Sequence, residues 1–590
     1  MIQNEKFGLF ILFVISILLS TYLFFQTYVI SIDGAFHYIP VAKLFVSGAY
    51  KDAIHYGGIQ PLYAFLVALV SRWVADFELA GKLVSSFFGI LIIFPVYFLG
   101  KQIFDKKIAF VSALLLTIHP YIRRFSADVL KESTYLFSLA LGIWFAWKTI
   151  ESEKKYPYLF IPLFSAIAYL VRPDGVEILL VVSSCVLFIK KCNASGNKWK
   201  VISLLLLASA ILYLPCLIYL SEFIGTWILS KTKSSVSLKM DKKSPRAEGA
   251  VITFTAAATG GTGSYEYYFM FRNPKTGVWT IGQAYSGNPV WQWNTTGIDT
   301  GTYSIQVWAR SAGSTVAYEA WTGVSYAIMA PSDSIVSLII HKIIFSLKKL
   351  NFELFATCHP LYLLLLGVGI FNKCYSYLKD GGKFLISFFV LHYVVLFLLI
   401  LNTTEWSRDE TIQSIYFSGR HVLPLLLFGI YWVGEGIVAV YQWIYKKIES
   451  HRLLPHLESK RKSILVWVTL LVIVLAIVLP KTLKPQRYER LPEKWAGIWI
   501  KKQYGRGMTI FTTVHRVAYY ADGNLEYIDS KKDTIDKIRT SMIEKKALYL
   551  VIRGRETVNF PKDAIKKDFI ELNRFEGKGM EKIIIYEIIH

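Results

Sequence analysis

The feature that most constrains this chain is a series of long apolar stretches separated by short cationic or polar ones. Apolar residues make up 54% of the 590 residues, and the mean hydropathy is positive. A single soluble core cannot bury that much apolar surface. Crossing a bilayer as a helix takes roughly 17–25 apolar residues. The pattern therefore predicts about eleven crossings, at 7–29, 83–100, 108–121, 133–150, 156–171, 176–189, 201–220, 355–371, 384–401, 422–443 and 464–479.

The formal charge of +23 is spread between the apolar stretches and is not concentrated in one soluble domain. That distribution argues against a nucleic-acid-binding domain. The Lys-bearing connections alternate along the chain, at 101–107, 151–155, 190–200, 372–383 and 446–462. By the positive-inside rule these connections face the cytoplasm. We thus expect a multi-pass plasma (inner) membrane protein with a cytoplasmic N-terminus and an extracytoplasmic C-terminal domain.

The first apolar stretch admits two interpretations. It exceeds the usual length of a signal-peptide core, and no small-residue cleavage site precedes Asp33, so an uncleaved first helix is favoured over a signal peptide. The five cysteines all fall in predicted helices or cytoplasmic loops, so we expect no disulfide framework.

Three regions depart from the membrane pattern. Residues 30–78 form a first outer loop with amphipathic stretches at 35–47 and 61–74, inside an N-terminal membrane module that covers 1–237. Residues 238–329 alternate polar and apolar positions between Gly-rich turns, which predicts an inserted immunoglobulin-like β-sandwich. The remaining membrane helices occupy 330–480, and mixed helix and strand patterns over 481–590 predict an α/β domain.

Asp33 is the first candidate for chemistry, because it lies just beyond the first apolar stretch. A carboxylate at the mouth of a helical bundle can act as a general base. Asp is also a favoured N-cap residue, and a helical stretch follows it. Local sequence favours the two interpretations equally.

Three other charged motifs lie at the same predicted face: the stretch from His119 to Glu132, which includes Arg123, Arg124 and Asp128; Arg172-Pro-Asp174; and Ser418-Gly-Arg420-His421. Charges near membrane depth cost about 2.5–3.5 kcal/mol each on insertion scales, so their grouping at one face indicates function. Arg in particular pairs bidentately with phosphate. The alternative is interfacial snorkelling.

Together these motifs resemble the GT-C-fold glycosyltransferases that use polyprenyl-phosphate sugars, including the protein O-mannosyltransferases and the aminoarabinose transferases. The resemblance rests on Asp33, the Gly48 to Tyr63 stretch, the His119 to Glu132 loop, the Arg172 motif and Gly419 to Pro424. Two departures are Gly34, where the family often has an acid after the catalytic Asp, and Ile59-Gln60-Pro61-Leu62 in place of Lys-Pro-Pro-Leu.

The resemblance implies an enzyme that moves a sugar from a polyprenyl phosphate to an acceptor hydroxyl, with inversion and with Asp33 as the base. It implies that Arg420 and one of Arg123, Arg124 or Arg172 stabilise the donor phosphate. Further candidates for contacting the sugar or acceptor are His37, His55, Asp128, Glu132 and Asp174.

Since a lipid phosphate leaves without protonation, a single base suffices, unlike the two carboxylates of glycosidases. No metal-ligand cluster accompanies Asp33, so we expect metal-independent transfer with no cofactor beyond the lipid-linked sugar. The expected partners are the donor lipid, membrane lipids and an acceptor protein, lipid or polysaccharide.

Two alternative hypotheses are that the protein is a lipid or polysaccharide flippase or that it is an anchored surface adhesin. A transporter places its charges near the bilayer midplane and often contains broken helices. An adhesin needs only one or two spans. The charges of this chain crowd one face, and its spans are many, so the transferase is favoured.

Overall fold

A computed structural model describes residues 5–57, 60–151, 160–188, 203, 205–210, 212, 235–260, 263–330, 335–372, 380–404, 417–528, 533–555, 565 and 567–589. The chain divides into two compact units. The first comprises Met1–Tyr213, Leu361–Phe388 and Leu426–His590, and the second comprises Leu214–Pro360 and Phe389–Leu425.

The N-terminal part of the first unit is helical. Its helices are α1 (Glu5–Phe25), α2 (Ile39–Val46), α3 (Tyr50–Gly57), α4 (Leu62–Val74), α5 (Phe77–Leu91), α6 (Ile93–Ile103), α7 (Lys106–Ile118), α8 (Pro120–Ser126), α9 (Glu132–Glu151), α10 (Phe160–Tyr169) and α11 (Glu177–Phe188). Helices α2 and α4 match the two predicted amphipathic stretches, and they pack with α5 around a core that includes Tyr63 and Val67.

Helices that follow the β region are α12 (Ile335–Cys358), α13 (Pro360–Asn372), α14 (Asp380–Thr403), α15 (Leu423–Ser450) and α16 (Ser459–Thr482). Within the second unit, Leu350 of α12 packs with Leu396 and Ile400 of α14 and with Phe417 and Val422.

Several helices are long and apolar enough to cross a membrane. Among the described residues there are five, or up to seven when each of two bent pairs is one span, whereas the sequence predicted about eleven. The five are Glu5–Phe25, Phe77–Ile103, Asp380–Thr403, Gly419–Ser450 and Ser459–Thr482. Most of the predicted span at 201–220 lies outside the described residues.

Two predicted continuous helices are broken before a proline. The predicted span 108–121 ends at Ile118, and α8 resumes at Pro120 with a bend of 59°. The predicted span 355–371 was wrong in the same way: His359 adopts a left-handed backbone (φ +65°) before Pro360. Proline disfavours right-handed helical geometry in the residue before it, and at these two places the chain turns.

Residues 235–329 form two β-sheets. The eight strands are β1 (Ser235–Met240), β2 (Arg246–Ala247), β3 (Val251–Thr259), β4 (Tyr265–Arg272), β5 (Trp279–Ser286), β6 (Val290–Asn294), β7 (Gly301–Ser311) and β8 (Ala320–Met329). One sheet has the order β1-β3-β6 and the other β2-β8-β7-β4-β5. Trp291 and Trp293 are buried with Phe254 and Phe269 between the strands, which is core packing, whereas Trp279 is exposed. An immunoglobulin-like topology stays a prediction.

The C-terminal domain is an α/β layer within the first unit. Its sheet has the order β10-β9-β11-β13-β12, formed by β9 (Thr509–Thr512), β10 (Asn524–Tyr527), β11 (Tyr549–Arg553), β12 (Phe569–Phe575) and β13 (Ile583–Ile588). Helices α17 (Leu491–Tyr504), α18 (His515–Ala521) and α19 (Ile535–Glu544) accompany it. Buried Val551, Ile583 and Ile585 pack against Ala496 and Ile500 of α17.

Candidate functional site

Asp33 lies at the start of a short helical turn, Gly34–Tyr38, that leads directly into α2. Its side chain is half-buried and makes no capping hydrogen bond to that turn. The Gly34 amide instead donates to Ser31 Oγ at 3.1 Å. The N-cap interpretation of Asp33 is therefore not supported, because the neighbouring serine takes that place.

The packing around Gly34 explains why this chain has no acidic residue directly after Asp33. A Cβ atom added there would lie 2.8 Å from Val129 Cβ and 2.9 Å from both Val129 O and Ser31 Oγ. Real Cβ atoms do not approach that closely, so the loop after α8 leaves no room for an acidic side chain at position 34.

The segment before Asp33 pairs with the chain that follows α16. The backbones of Thr27 and Gln486 form a parallel bridge, and the Gln486 side chain donates to Thr27 Oγ1 at 3.0 Å. The same side-chain nitrogen donates to the backbone oxygen of Arg124 at 3.0 Å. Residue 486 therefore ties the end of α1 to α8.

Four consecutive carbonyl oxygens of this segment each accept a hydrogen bond from a cationic side chain. The pairs are Thr27 with Lys82 at 2.9 Å, Tyr28 with Lys494 at 3.3 Å, Val29 with Arg487 at 2.7 Å and Ile30 with Arg516 at 2.7 Å. The Ile30 amide also donates to the Tyr520 hydroxyl at 2.9 Å. Three of the four cations belong to the region after α16, so the C-terminal domain fixes the approach to Asp33.

Asp128 is fully buried and both of its oxygens are engaged. Oδ1 accepts the amides of Ser31 at 3.2 Å and Val129 at 2.8 Å, and Oδ2 forms an ion pair with Arg487. A carboxylate so enclosed holds the two loops together. The predicted contact of Asp128 with the sugar or acceptor stays a prediction.

The three arginines proposed for the donor phosphate have different environments. Arg123 is fully buried, its Nη1 donates to Ser20 Oγ at 3.0 Å, and its Nε and Nη2 have no partner among the described residues. Arg124 is half-buried, within electrostatic range of Arg487 and Lys481. Arg172 is buried and paired with Asp174 at 2.7 Å.

The Arg172 motif therefore forms its own ion pair. The Arg172 guanidinium also lies over the Tyr135 ring at 5.0 Å. Glu132, at the start of α9, is buried, with 2% of its surface exposed. Asp174 is thus paired with Arg172, and Glu132 is buried. The predicted contact of both residues with a sugar or acceptor stays a prediction.

His37 is exposed on the turn after Asp33, and its predicted contact with the sugar or acceptor stays a prediction. The side chain of His55 lies outside the described part of the chain. Arg420 belongs to the second unit, in the turn Gly419–Val422, where the Ser418 amide donates to His421 Nδ1 at 3.2 Å. Its predicted phosphate contact stays a prediction.

The sequence did not point to the cluster around Glu493. This carboxylate is fully buried and pairs with Arg516 at 3.0 Å, Arg553 at 3.2 Å and Arg490 at 3.4 Å. Burial, followed by the charges of Arg516 and Arg553, lowers the pKa of the adjacent His515. No local pattern links these positions to Asp33, because the contacts join residues more than 450 apart.

Among the described residues no group of three His, Cys, Asp or Glu side chains is arranged to hold a metal ion.

Comparison with known proteins agrees with the resemblance. The sequence profile of the family described as Dolichyl-phosphate-mannose-protein mannosyltransferase matches residues 59–219. Apo ArnT from Cupriavidus metallidurans has a similar structure, with a TM-score of 0.51 and 11% identity over 99% of this chain and 98% of ArnT. ArnT bound to undecaprenyl phosphate gives a TM-score of 0.49 with 11% identity, covering 98% of each chain.

The Archaeoglobus fulgidus oligosaccharyltransferase gives a TM-score of 0.49 with 10% identity, over 97% of this chain and 72% of that chain. No curated protein sequence matches the chain significantly. The family profile over residues 59–219 and the fold shared with ArnT confirm the predicted resemblance to GT-C-fold glycosyltransferases.

Proposed function

We propose that this protein transfers a sugar from a polyprenyl-phosphate carrier to an acceptor hydroxyl on the extracytoplasmic side of the plasma membrane, with Asp33 as the general base. The family profile supports the donor class, because its description names a dolichyl-phosphate mannose, which is a polyprenyl-phosphate sugar. The GT-C-like fold supports the membrane setting.

The main support for Asp33 as the base is that its side chain is partly exposed while the backbone before it is held in place. The turn that follows it takes its cap from Ser31, so the carboxylate is not needed for that structural task. The preceding carbonyls are held by four cations. A base must be accessible to the acceptor and held in one place, and Asp33 meets both requirements.

In the proposed reaction the acceptor oxygen attacks the anomeric carbon while its proton passes to the Asp33 carboxylate. The bond between the anomeric carbon and the phosphate oxygen breaks, and the lipid phosphate leaves with the electron pair. Direct displacement inverts the anomeric centre. Negative charge builds on the phosphate in this step, so nearby cations lower its energy.

Arg124 and Lys481 supply such cations at the ends of α8 and α16, within electrostatic range of each other. Buried Arg123 adds a charge with no carboxylate partner among the described residues. Arg172 is already balanced by Asp174. We therefore favour Arg123 and Arg124 over Arg172 for the phosphate, with Arg420 as the further donor contact that the family motif implies.

The proposal includes metal-independent transfer, since cations on the protein can replace a divalent ion at the phosphate. His37 and His55 are proposed to meet the acceptor, which is a protein, lipid or polysaccharide.

Sugar transfer from a panel of polyprenyl-phosphate sugars tests the proposal, with wild type, Asp33→Asn and Asp52→Asn in detergent and native membrane extract as acceptor. Asp52 is an exposed carboxylate in the same outer segment and serves as the matched control. We expect Asp33→Asn to lower the rate by about 10²–10⁴-fold and Asp52→Asn to leave it unchanged. Full activity of Asp33→Asn would move the base elsewhere, and no transfer from any donor would count against the enzyme itself.

A further inference from the structure

We propose that the C-terminal domain positions the catalytic carboxylate, with Arg487 and Arg516 as the positioning residues. This inference rests on the proposed function of Asp33. It assigns to the domain a structural task in that reaction.

Arg516 bridges two anchors. Its Nε donates to the Ile30 carbonyl at 2.7 Å, three residues before Asp33, and its Nη1 pairs with Glu493 at 3.0 Å. Both side chains are buried, Glu493 completely. A guanidinium donates in two directions at once, so Arg516 transmits the position of α17 to the Ile30 peptide.

Arg487 makes the matching bridge one residue earlier. Its Nε donates to the Val29 carbonyl at 2.7 Å, and Nη2 pairs with Asp128. Asp128 in turn accepts the Ser31 amide at 3.2 Å. Two arginines of the C-terminal region thus hold the peptides at 29 and 30, and the partner of one of them holds the peptide at 31.

The contacts continue past Asp33. The Phe36 ring meets the His515 ring edge-on at a centroid distance of 5.7 Å, and Lys43 pairs with Asp522 at 3.4 Å. Asp33 therefore lies between two stretches that both contact the C-terminal domain. A displacement of about 1 Å at a reacting group can cost on the order of 10²-fold in rate, so this enclosure has a direct kinetic consequence.

The kinetic test compares Arg516→Lys and Arg487→Lys with Arg574→Gln. Lys keeps the charge but cannot bridge a carbonyl and a carboxylate in the same planar geometry. Arg574 is the control, because it pairs with Glu571 at 2.8 Å on the exposed side of the same domain. We expect kcat to fall at least about 10-fold in both Lys variants, with the donor KM within about twofold of wild type.

A double substitution separates positioning from general destabilisation. If Arg516 acts through Asp33, then Arg516→Lys causes no further loss of rate in the Asp33→Asn background. A multiplicative loss there, or a changed KM with unchanged kcat, would overturn the proposal. Thermal unfolding of each variant identifies any that are simply unfolded, and Arg487→Lys then provides the second test.

Hydrogen exchange of the backbone amides at 28–36 tests the same inference without any activity. Arg516→Lys should speed exchange there at least about 10-fold, and Arg574→Gln should leave it unchanged. Unchanged exchange in Arg516→Lys would refute positioning even if transfer is observed. Faster exchange in Arg516→Lys, together with no sugar transfer by the wild type, would support the structural role of Arg516 and reject the proposed function.

Discussion

Replacing Asp128 by Asn tests whether the link between the two loops stabilises the fold. The variant keeps an oxygen for the amides of Ser31 and Val129 but turns an NH₂ group toward the guanidinium of Arg487. It therefore exchanges a charge-assisted hydrogen bond for a contact between two donors, with little change in volume.

The structure sets the expected magnitude. A hydrogen bond to a charged group contributes about 1.5–3 kcal/mol, and breaking a fully buried ion pair costs about 3–5 kcal/mol. Asp128 is 1% exposed but Arg487 is 21% exposed, so water can compensate part of the loss. We expect Asp128→Asn to lower the free energy of unfolding by about 2 kcal/mol, within the first range and below the second.

A denaturant titration in detergent micelles measures this loss, in a double-mutant cycle with Arg487→Met. We expect a coupling energy of about 2 kcal/mol between positions 128 and 487, against less than about 1 kcal/mol for the exposed pair Glu571 and Arg574. A coupling at 128 and 487 no larger than that of the exposed pair would show that the ion pair does not hold the loops, and the reasoning would fail.

Further predictions concern packing, charge, pH and metal. Gly34→Ala should destabilise the protein by about 1–3 kcal/mol in thermal unfolding, and Val129→Ala should not restore the loss, because the added Cβ meets the Cβ of Val129 at 2.8 Å and its backbone oxygen at 2.9 Å, and alanine keeps both atoms. Arg123→Met should leave unfolding unchanged or raise stability by about 1 kcal/mol, yet raise the donor KM about 10-fold if the buried cation binds phosphate. Because the pKa of His515 is lowered in the folded protein, the unfolded chain binds a proton first as pH falls below about 6.5. The free energy of unfolding should therefore drop there by up to about 1.4 kcal/mol per pH unit. His515→Phe should flatten that slope in unfolding titrations from about pH 7.5 to 5. Transfer should continue in EDTA, and loss of rate that Mg²⁺ or Mn²⁺ restores would contradict the metal-independent proposal.

Local sequence predicted elements whose signal lies within the element. In the C-terminal domain the helix and strand patterns over 481–590 correspond to elements such as the helix Leu491–Tyr504 and the strand Ile583–Ile588. Periodic apolar positions decide these elements, because each must bury one face. The preference against helical geometry before proline also pointed to the breaks before Pro120 and Pro360. The prediction instead followed the long apolar runs around them.

Asp33 could be chosen as a candidate from its place after an apolar stretch and its resemblance to a family motif. The sequence could not predict that Ser31 caps the following turn in place of Asp33, because both residue types suit an N-cap and only the folded backbone selects one. The sequence also could not rank the three arginines, since Arg172 differs from Arg123 through partners supplied by packing.

The sequence by itself determined the apolar helices, the β region and the mixed helices and strands of the C-terminal domain, because these follow from periodicity and composition along the chain. The tertiary structure alone decided what holds Asp33: hydrogen bonds from Arg487 and Arg516 to carbonyls 458 and 486 positions earlier. Such contacts carry no local signal, since a backbone carbonyl is the same at every residue and only the fold determines which side chain reaches it.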